Sequence, residues 1–523
     1  MRRLVTGKQM KEIDAYAIQT IGILSMVLME RAALAVADEL MQEYQRRGRK
    51  PVLDARVLVF CGTGNNGADG AAIARILHLR GISVSIITVG DRSRWTGEME
   101  RQISIDEKLG IAIEDFGGYL PGRFDVAVDA MFGVGLSREL EGEFREAVVF
   151  LSGLKPEFTV AVDIPSGICS ETGRILGAAV EADLTVTFGY EKVGTAIYPG
   201  KGYCGRVEVK DIGFPGYDGY SGTRFFTYDT SDLSRIPQRK QDSHKGTYGK
   251  VLIAAGSGGM CGAAYLSALA AYRTGAGLVK ILTVETNVQI LQTLLPEAII
   301  ASYPEGMEAE EPEAFRELVE RECAWASVIV LGPGLGRGRH VVKLTEYVLL
   351  SAYVPIILDA DGLNTVAEYP HLSEFFTENV IVTPHLGEMA RLTGQEVETL
   401  KEDLPGAAVA YCEDKGVTCV LKDAVSVVAG KDGSVFINSS GCGAMAKAGS
   451  GDVLTGLIAG LIALGLQEDE AAALGVWLHG LAGDRAAKRK GDHSILAREI
   501  ADSIMQEDDN GRTIQQGLCG NQP

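Results

Sequence analysis

Short apolar runs alternate with helical patterns along the whole chain, the signature of parallel α/β sheets. In the first half, 57–61 predicts a strand, a Gly/Asn-rich loop follows, and 71–80 predicts a helix closed by Gly81. Further strands are expected at 84–89, 126–128 and 159–162, the last two followed at once by Asp129 and Asp163. In the second half, expected strands at 251–255, 328–331, 356–358, 380–382 and 419–421 lead in turn to a Gly-rich loop at 256–262, GPGLG at 332–336, DADGLN at 359–364, TPHLGE at 383–388 and Lys422. Leu454, Leu457, Ile458, Leu461 and Ile462 recur at helical spacing, so a buried helix should start near Asp452. Between the halves, 212–247 is rich in Gly, polar and basic residues, which places a boundary near Tyr220. The expected domains are 1–220 and 221–507, with a polar, frayed tail at 508–523.

Composition narrows this picture. A chain of 523 residues suits two or three domains. An apolar fraction of 46% and a charged fraction of 23% argue for packed cores rather than disorder. The 50 basic and 69 acidic residues leave −19, which disfavours nucleic acid or an anionic membrane as a partner. Two long uncharged stretches, 251–272 and 453–467, do not read as membrane spans: glycines split the first and the second is short of the ~20 residues needed. The apolar run at 21–29 has no small-residue cleavage site after it, so no signal peptide is expected. Nine cysteines in irregular spacing, without a C-x-x-C pair, suggest neither a zinc site nor a disulfide framework, and fit reduced thiols in the cytoplasm. Glycine is the outlier, 64 residues, about 12% against a usual ~7%.

The glycines mark candidate chemistry. Gly62, Gly64 and Gly67 form G-x-G-x-x-G between a strand and a helix, a loop that turns tightly and offers N–H groups to phosphate. A purely structural turn is the other reading. Asn65, Asn66, Asp129, Asp163 and Ser166 put oxygen donors at strand ends, where a hard cation would satisfy buried carboxylates, unless the aspartates simply cap helices. In the second half, Gly449, Ser450 and Gly451 precede Asp452 at a helix start. Free N–H groups there would stabilise a transferring phosphoryl group, and Asp452 could take a proton from an attacking hydroxyl. A flexible loop with an N-cap Asp is the alternative. Asp359 and Asp361 read equally well as solvated or capping carboxylates.

The first-half motifs, GTGNNGADG at 62–70, DAMFGVG at 129–135 and VDIPSG at 162–167, resemble the NAD(P)H-hydrate epimerase domain, the YjeF N-terminal family, over about 8–215. Ala68, Met131 and Val134 stand where that family usually has Gly, Leu and Thr. The resemblance implies a Rossmann-like three-layer αβα domain. It implies that Asn65, Asn66, Gly67, Ala68 and Asp69, with Gly133, Val134, Gly135, Leu136, Ser137, Arg138 and Glu139, bind the hydrated dinucleotide. Asn66, Asp129 and Ser166 would bind K+. Asp163 would contact the nicotinamide end and serve as the acid/base group.

The second half, with HKGTYGKVLIAAGS at 244–257, GPGLG, LDADGLN, TPHLGE and AGSGDVLTG at 448–456, is similar to the ribokinase-like, ADP/ATP-dependent NAD(P)H-hydrate dehydratase family over about 225–505. By that resemblance, Ala263, Gly334, Gly336, His385 and Asp452 would hold the hydrated nicotinamide. Lys422, Asp423, Ala424, Val425, Ser426 and Gly451 would hold the adenine nucleotide, with Asp423 replacing the family's Gly, and Mg2+ would accompany ADP or ATP. Asp452 would be the catalytic base. Together the two resemblances imply a bifunctional repair enzyme for NADHX and NADPHX, whose halves epimerise R and S hydrates and dehydrate the S form. A homo-oligomer and a cytoplasmic location are expected. A ribokinase-type small-alcohol kinase with an accessory domain, and a first half that merely binds a dinucleotide, are the alternatives.

Overall fold

A computed structural model of the chain describes residues 1–48, 52–118, 123–215 and 223–505. The boundary expected near Tyr220 and the tail at 508–523 lie outside the described residues. The chain divides into two compact units, Arg3–Phe225 and Phe226–Pro523 with Met1–Arg2.

The first unit is built on a seven-stranded sheet. Its order is Ala112–Asp115, Ser83–Thr88, Arg56–Cys61, Val126–Ala130, Phe158–Val162, Leu184–Phe188 and Arg206–Lys210, every pair parallel. Period-two alternation sends Val57, Val59 and Cys61 into one core with the helices Ser25–Arg46, Asn65–Leu79 and Gly97–Leu109. Leu58 and Phe60 enter another with Gly142–Leu154. Helices therefore cover both faces, the three layers expected of a buried parallel sheet. The strand Arg2–Val5 pairs with Glu191–Lys192, and Val5, Met10 and Ile13 form a small apolar cluster with Val134, Tyr190 and Phe214. Thr6 caps the helix Gly7–Ala15 in a reciprocal box with Gln9.

The helix expected at 71–80 starts earlier, at Asn65, so Gly67 and Gly70 lie inside it. Neither needs a left-handed backbone. A Cβ on Gly67 would run into the Gly62 carbonyl, and one on Gly70 into Ala130 and Cys61. These glycines let the helix press onto the strand ends, rather than letting a ligand approach the backbone. Asp129 falls inside its strand, one residue from the end.

In the second unit the sheet runs Ile299–Tyr303, Leu278–Val284, Lys250–Ala254, Val328–Leu331, Ile356–Leu358, Val380–Val382, Thr418–Leu421, Val427–Ala429 and Val435–Ile437. Pairs are parallel as far as Thr418–Leu421 and antiparallel beyond. One face of the sheet packs on the helices Cys261–Thr274, Ser450–Ala463, Glu468–Lys490 and Ala497–Asp502. Ser450–Ala463 is buried on every side from Val453 onward, which explains its nearly unbroken apolar run. No helix among the described residues is long and apolar enough to cross a membrane.

Candidate functional site

Both units gather their polar side chains where the carboxyl ends of parallel strands meet helix N-termini. In the first unit, a cavity of about 540 Å³ opens there. Asn65, Asn66, Asp69, Gly133, Val134, Gly135 and Asp163 line it, as the sequence suggested. No side chain caps the helix at Asn65, so its first N–H groups are available.

Asp163 follows its strand directly and takes a left-handed backbone, φ 69°, rare for a residue with a side chain. Its N–H donates to the Val186 carbonyl at 2.8 Å. Its Oδ1 accepts from Thr187 Oγ1 at 3.0 Å and from the Lys192 ammonium. Lys192 is fully buried, and its Nζ also donates to Thr187 Oγ1 at 2.8 Å and to the Phe188 carbonyl at 3.2 Å. Asp163 Oδ2 lies 3.4 Å from where a Cβ on Gly133 would stand, as does Asn66 Oδ1. A side chain at 133 would crowd both groups, so glycine keeps this corner clear.

Beneath the cavity, Asp129 is completely buried. It accepts from Ser166 N at 2.7 Å, Ser166 Oγ at 2.6 Å and Met131 N at 3.2 Å. Burial nevertheless pushes its pKa up to about 6, against those hydrogen bonds. Asn66 Nδ2, on the residue that faces Gly133, is buried without a partner.

Several expected ligand residues turn out otherwise. Ala68 is fully buried in the core, and its N–H is committed to the Gly64 carbonyl at 3.1 Å. Leu136 packs into the core on the other face of the sheet. Gly67 is buried against Gly62, and Ser137, Arg138 and Glu139 are exposed and do not line the cavity. Conversely, the sequence reading passed over Lys192 and Asp14, which do line it. Burial and then Asp163 raise the Asp14 pKa, and burial, Asp163 and Asp14 raise that of Asp69 well above the carboxylate range. A lone Lys after a strand and an Asp on an amphipathic helix carry no motif that would have found them.

In the second unit, Gly449 is the N-cap of Ser450–Ala463, with φ 89° and no side-chain cap. That leaves the N–H groups of Gly451 and Asp452 at an open helix end. The Asp452 carbonyl accepts from Ser267 Oγ and Thr455 Oγ1, both at 2.9 Å, which anchors the turn to Cys261–Thr274. Burial, then Asp359, pushes the Asp452 carboxyl up to about 6, with Lys422 working against them.

Asp359 is 2% exposed, which excludes the solvated reading. Its Oδ1 accepts from Lys422 Nζ and Thr383 Oγ1, both at 2.7 Å. A Cβ on Gly451 would stand 3.4 Å from Lys422 Nζ, so ammonium and helix end are adjacent. Asp361 accepts from the Gly336 N–H at 2.7 Å and so ties the GPGLG loop. Gly334 presses against Ala263, where a Cβ would be 2.9 Å away.

His385 caps the helix Leu386–Thr393. Its Nδ1 accepts from Gly387 N at 2.9 Å and Glu388 N at 3.3 Å, while Nε2 faces Glu388 at 3.4 Å. Its side chain is still 54% exposed, so a ring face remains for a ligand. The 422–426 segment divides: Lys422 turns inward, Asp423 and Ala424 are exposed, Val425 is core at 2% exposure and Ser426 is half-buried. Among the described residues, no cluster of three or more His, Cys, Asp or Glu could hold a metal ion, and the cysteines are free.

A family model described as NAD(P)H-hydrate dehydratase matches residues 251–506, and one described as YjeF-related protein N-terminus matches 25–194. The chain is 38% identical over 515 residues to the bifunctional NAD(P)H-hydrate repair enzyme of Moorella thermoacetica, covering 96% of each chain. It is 36% identical over 499 residues to that of Thermofilum pendens, covering 94% of this chain and 93% of the other. Among solved structures, the ADP/ATP-dependent NAD(P)H-hydrate dehydratase from Bacillus subtilis, co-crystallized with ATP/Mg2+, is 31% identical, with a TM-score of 0.45, over 53% of this chain and 95% of that one.

Proposed function

The chain belongs to the family of bifunctional NAD(P)H-hydrate repair enzymes, and from that premise we propose how its own residues divide the two reactions. Hydration of the nicotinamide ring places a hydroxyl on the carbon next to the ring nitrogen. The nitrogen lone pair can expel that hydroxyl once it is protonated, leaving a planar iminium, and water returning to the opposite face gives the other epimer. In the first unit, Asp163 gives a proton to the departing hydroxyl and takes one back from the returning water, while Lys192, its ammonium shared among Asp163, Thr187 and the Phe188 carbonyl, fixes that carboxyl. The free Oδ2 of Asp163, facing the cavity beside Gly133, supports this role. Asn65, Asn66 and Asp69 hold the rest of the dinucleotide at the open helix end.

The donors Asn66, Asp129 and Ser166 fit a hard monovalent cation. Asp129 is a buried carboxylate whose hydrogen bonds are all from backbone N–H and a hydroxyl, with no cationic side chain among them. When bound, K+ would supply positive charge that offsets Asp129 and fixes the Asn66 loop.

In the second unit, Asp452 takes the proton of the substrate hydroxyl as its oxygen attacks the terminal phosphoryl group of ADP or ATP. The N–H groups of Gly451 and Asp452, with Lys422, receive the phosphoryl charge. The nitrogen lone pair then expels phosphate, the adjacent carbon loses a proton, and the reduced nicotinamide is restored. With ADP the products are AMP, phosphate and NAD(P)H. Mg2+ enters with the nucleotide as part of that substrate. The observation that carries this assignment is a half-buried carboxyl at an uncapped helix end, beside an ammonium. We also place the chain in the cytoplasm, as a homo-oligomer, with its domains at 1–220 and 221–507.

The test is to incubate the protein with mixed NADHX epimers and follow NADH absorbance, with and without ADP. Complete conversion with ADP, and none without it, supports both activities. Conversion that stops at the S epimer overturns the epimerase assignment. A phosphorylated alcohol accumulating in place of NADH overturns the dehydratase assignment in favour of a kinase.

A further inference from the structure

The helix Glu468–Lys490 carries His479 in the middle of an apolar face, between Leu478 and Gly480. Its Nε2 lies 3.4 Å from Ser450 Oγ, the first side chain of the helix that ends at the phosphoryl site. In the tautomer with hydrogen on Nε2, the ring donates and Ser450 Oγ accepts. Burial pushes the His479 pKa down to about 4, and Lys422 adds to that push, so the ring is neutral at any pH where the protein works. A neutral N–H donor occupies one lone pair of the Ser450 oxygen and leaves the hydroxyl hydrogen free. Ser450 is the first residue of the helix, directly after the left-handed Gly449 and directly before Gly451 and Asp452, whose N–H groups stand at the open end.

We propose that His479 is a positioning residue: it holds Ser450 so that the hydroxyl hydrogen becomes a third donor to the transferring phosphoryl group. The inference rests on the phosphoryl-transfer reading of Asp452. A charged ring at this place would bind ground-state phosphate and product as well. A neutral one adds orientation without that attraction, so its effect should fall on the transition state.

The full chain is tested with ADP and purified S-NADHX, epimerase activity and melting temperature serving as folding controls. His479→Leu and Ser450→Ala should each lower kcat by about 10- to 100-fold, with KM for ADP changed less than about twofold. His479→Gln, which keeps an N–H donor on a side chain of similar reach, should recover most of kcat. The double variant His479→Leu, Ser450→Ala should be no slower than the slower single one, because both remove the same donor. Binding of AMP with aluminium fluoride, which mimics the transferring group, should weaken in parallel with kcat. A folded His479→Leu protein with kcat within about threefold of the parent overturns the proposal, as do single losses that multiply in the double variant. Should His479→Leu fail to fold, the comparison of His479→Gln with Ser450→Ala decides: equal impairment overturns it. Full activity in Asp452→Asn would instead remove the phosphoryl-transfer reading, whereas an inactive Asp452→Asn beside active His479 and Ser450 variants would remove only this inference.

Discussion

The two sites solve the same problem, holding charge at the end of a parallel sheet, by opposite means. The first unit stores it in side chains: Lys192 is fully buried, its ammonium shared among Asp163, Thr187 and the Phe188 carbonyl, on a strained turn. The second unit builds its site from backbone, an uncapped helix end behind Gly449, with Asp452 and the Lys422–Asp359 pair gathered round it. A buried ion pair is costly to form and still costlier to break by halves. A helix end costs nothing extra, since its N–H groups are unpaired in any helix. Single changes at the first site should therefore damage fold and activity together, and changes at the second should separate them.

The largest expected effect tests that separation. Asp452→Asn should lower dehydration by about 10²- to 10⁴-fold, the range a general base contributes, while melting temperature holds or rises because a carboxyl with a raised pKa is gone. Steady-state rates on S-NADHX and a thermal melt check both halves of the statement. A variant that loses activity only because it melts earlier breaks the comparison.

At the first site, Lys192→Met should abolish epimer interconversion and also destabilise the protein by about 3–5 kcal/mol, because Asp163 is left in a buried place without its cation. Urea unfolding of the full chain, followed by a probe in the first unit, measures this. Replacing both partners, Asp163→Leu with Lys192→Met, should restore much of the stability but none of the epimerase activity. If the single and double variants are equally stable, the pair is not a stored charge arrangement and the contrast between the sites fails.

The same contrast explains what was legible in the sequence. Strands such as 328–331, 356–358 and 380–382 coincide with the structure because a strand buried on both faces reads as an unbroken apolar run. The glycine loops and Asp452 were readable because backbone sites need local sequence to shape them. Lys192 was not, since its bond to Asp163 spans 29 residues and is formed by the fold. His479 was hidden for a related reason: on an apolar helix it reads as core, and only the packing brings it to Ser450. The start of the helix Asn65–Leu79 was misread because glycines chosen for close packing look the same in sequence as glycines chosen for a loop. Ala68, placed at the site by motif position, lies in the core with its N–H bonded inside that helix, a setting that only the fold reveals.

A pH profile sharpens the second site. The proposed base Asp452 must be a carboxylate to act, and its pKa is pushed up to about 6 by burial and Asp359, so the dehydration rate should fall about tenfold per pH unit below about 6. Lys422 holds that value down. In Lys422→Met the acid limb should move upward, by about one unit, as the favourable charge is lost. A limb that stays in place in this variant would mean that the titrating group is not Asp452.

The smallest effect on activity lies away from both sites and asks whether buried carboxyl groups are a habit of the whole first unit. Asp106, on the helix Gly97–Leu109, is fully buried and neither carboxyl oxygen has a hydrogen-bond partner. Burial pushes its pKa up to about 8, with the Arg75 guanidinium working against it. The usual aspartate value in an unfolded chain is about 3.9. Between the two values the folded state holds a proton that the unfolded state has released, so stability falls as pH rises across that window, and the loss is complete above about 8. An amide has no such proton to lose. Asp106→Asn should therefore change little at pH 4 and stabilise increasingly toward pH 8, by about 1.4 kcal/mol for each pH unit crossed between the two values. Melting temperatures of parent and variant from pH 4 to pH 9 would show the two curves diverging. Curves that run parallel would mean that water reaches the carboxylate and that the first unit's tolerance of buried charge is confined to its site.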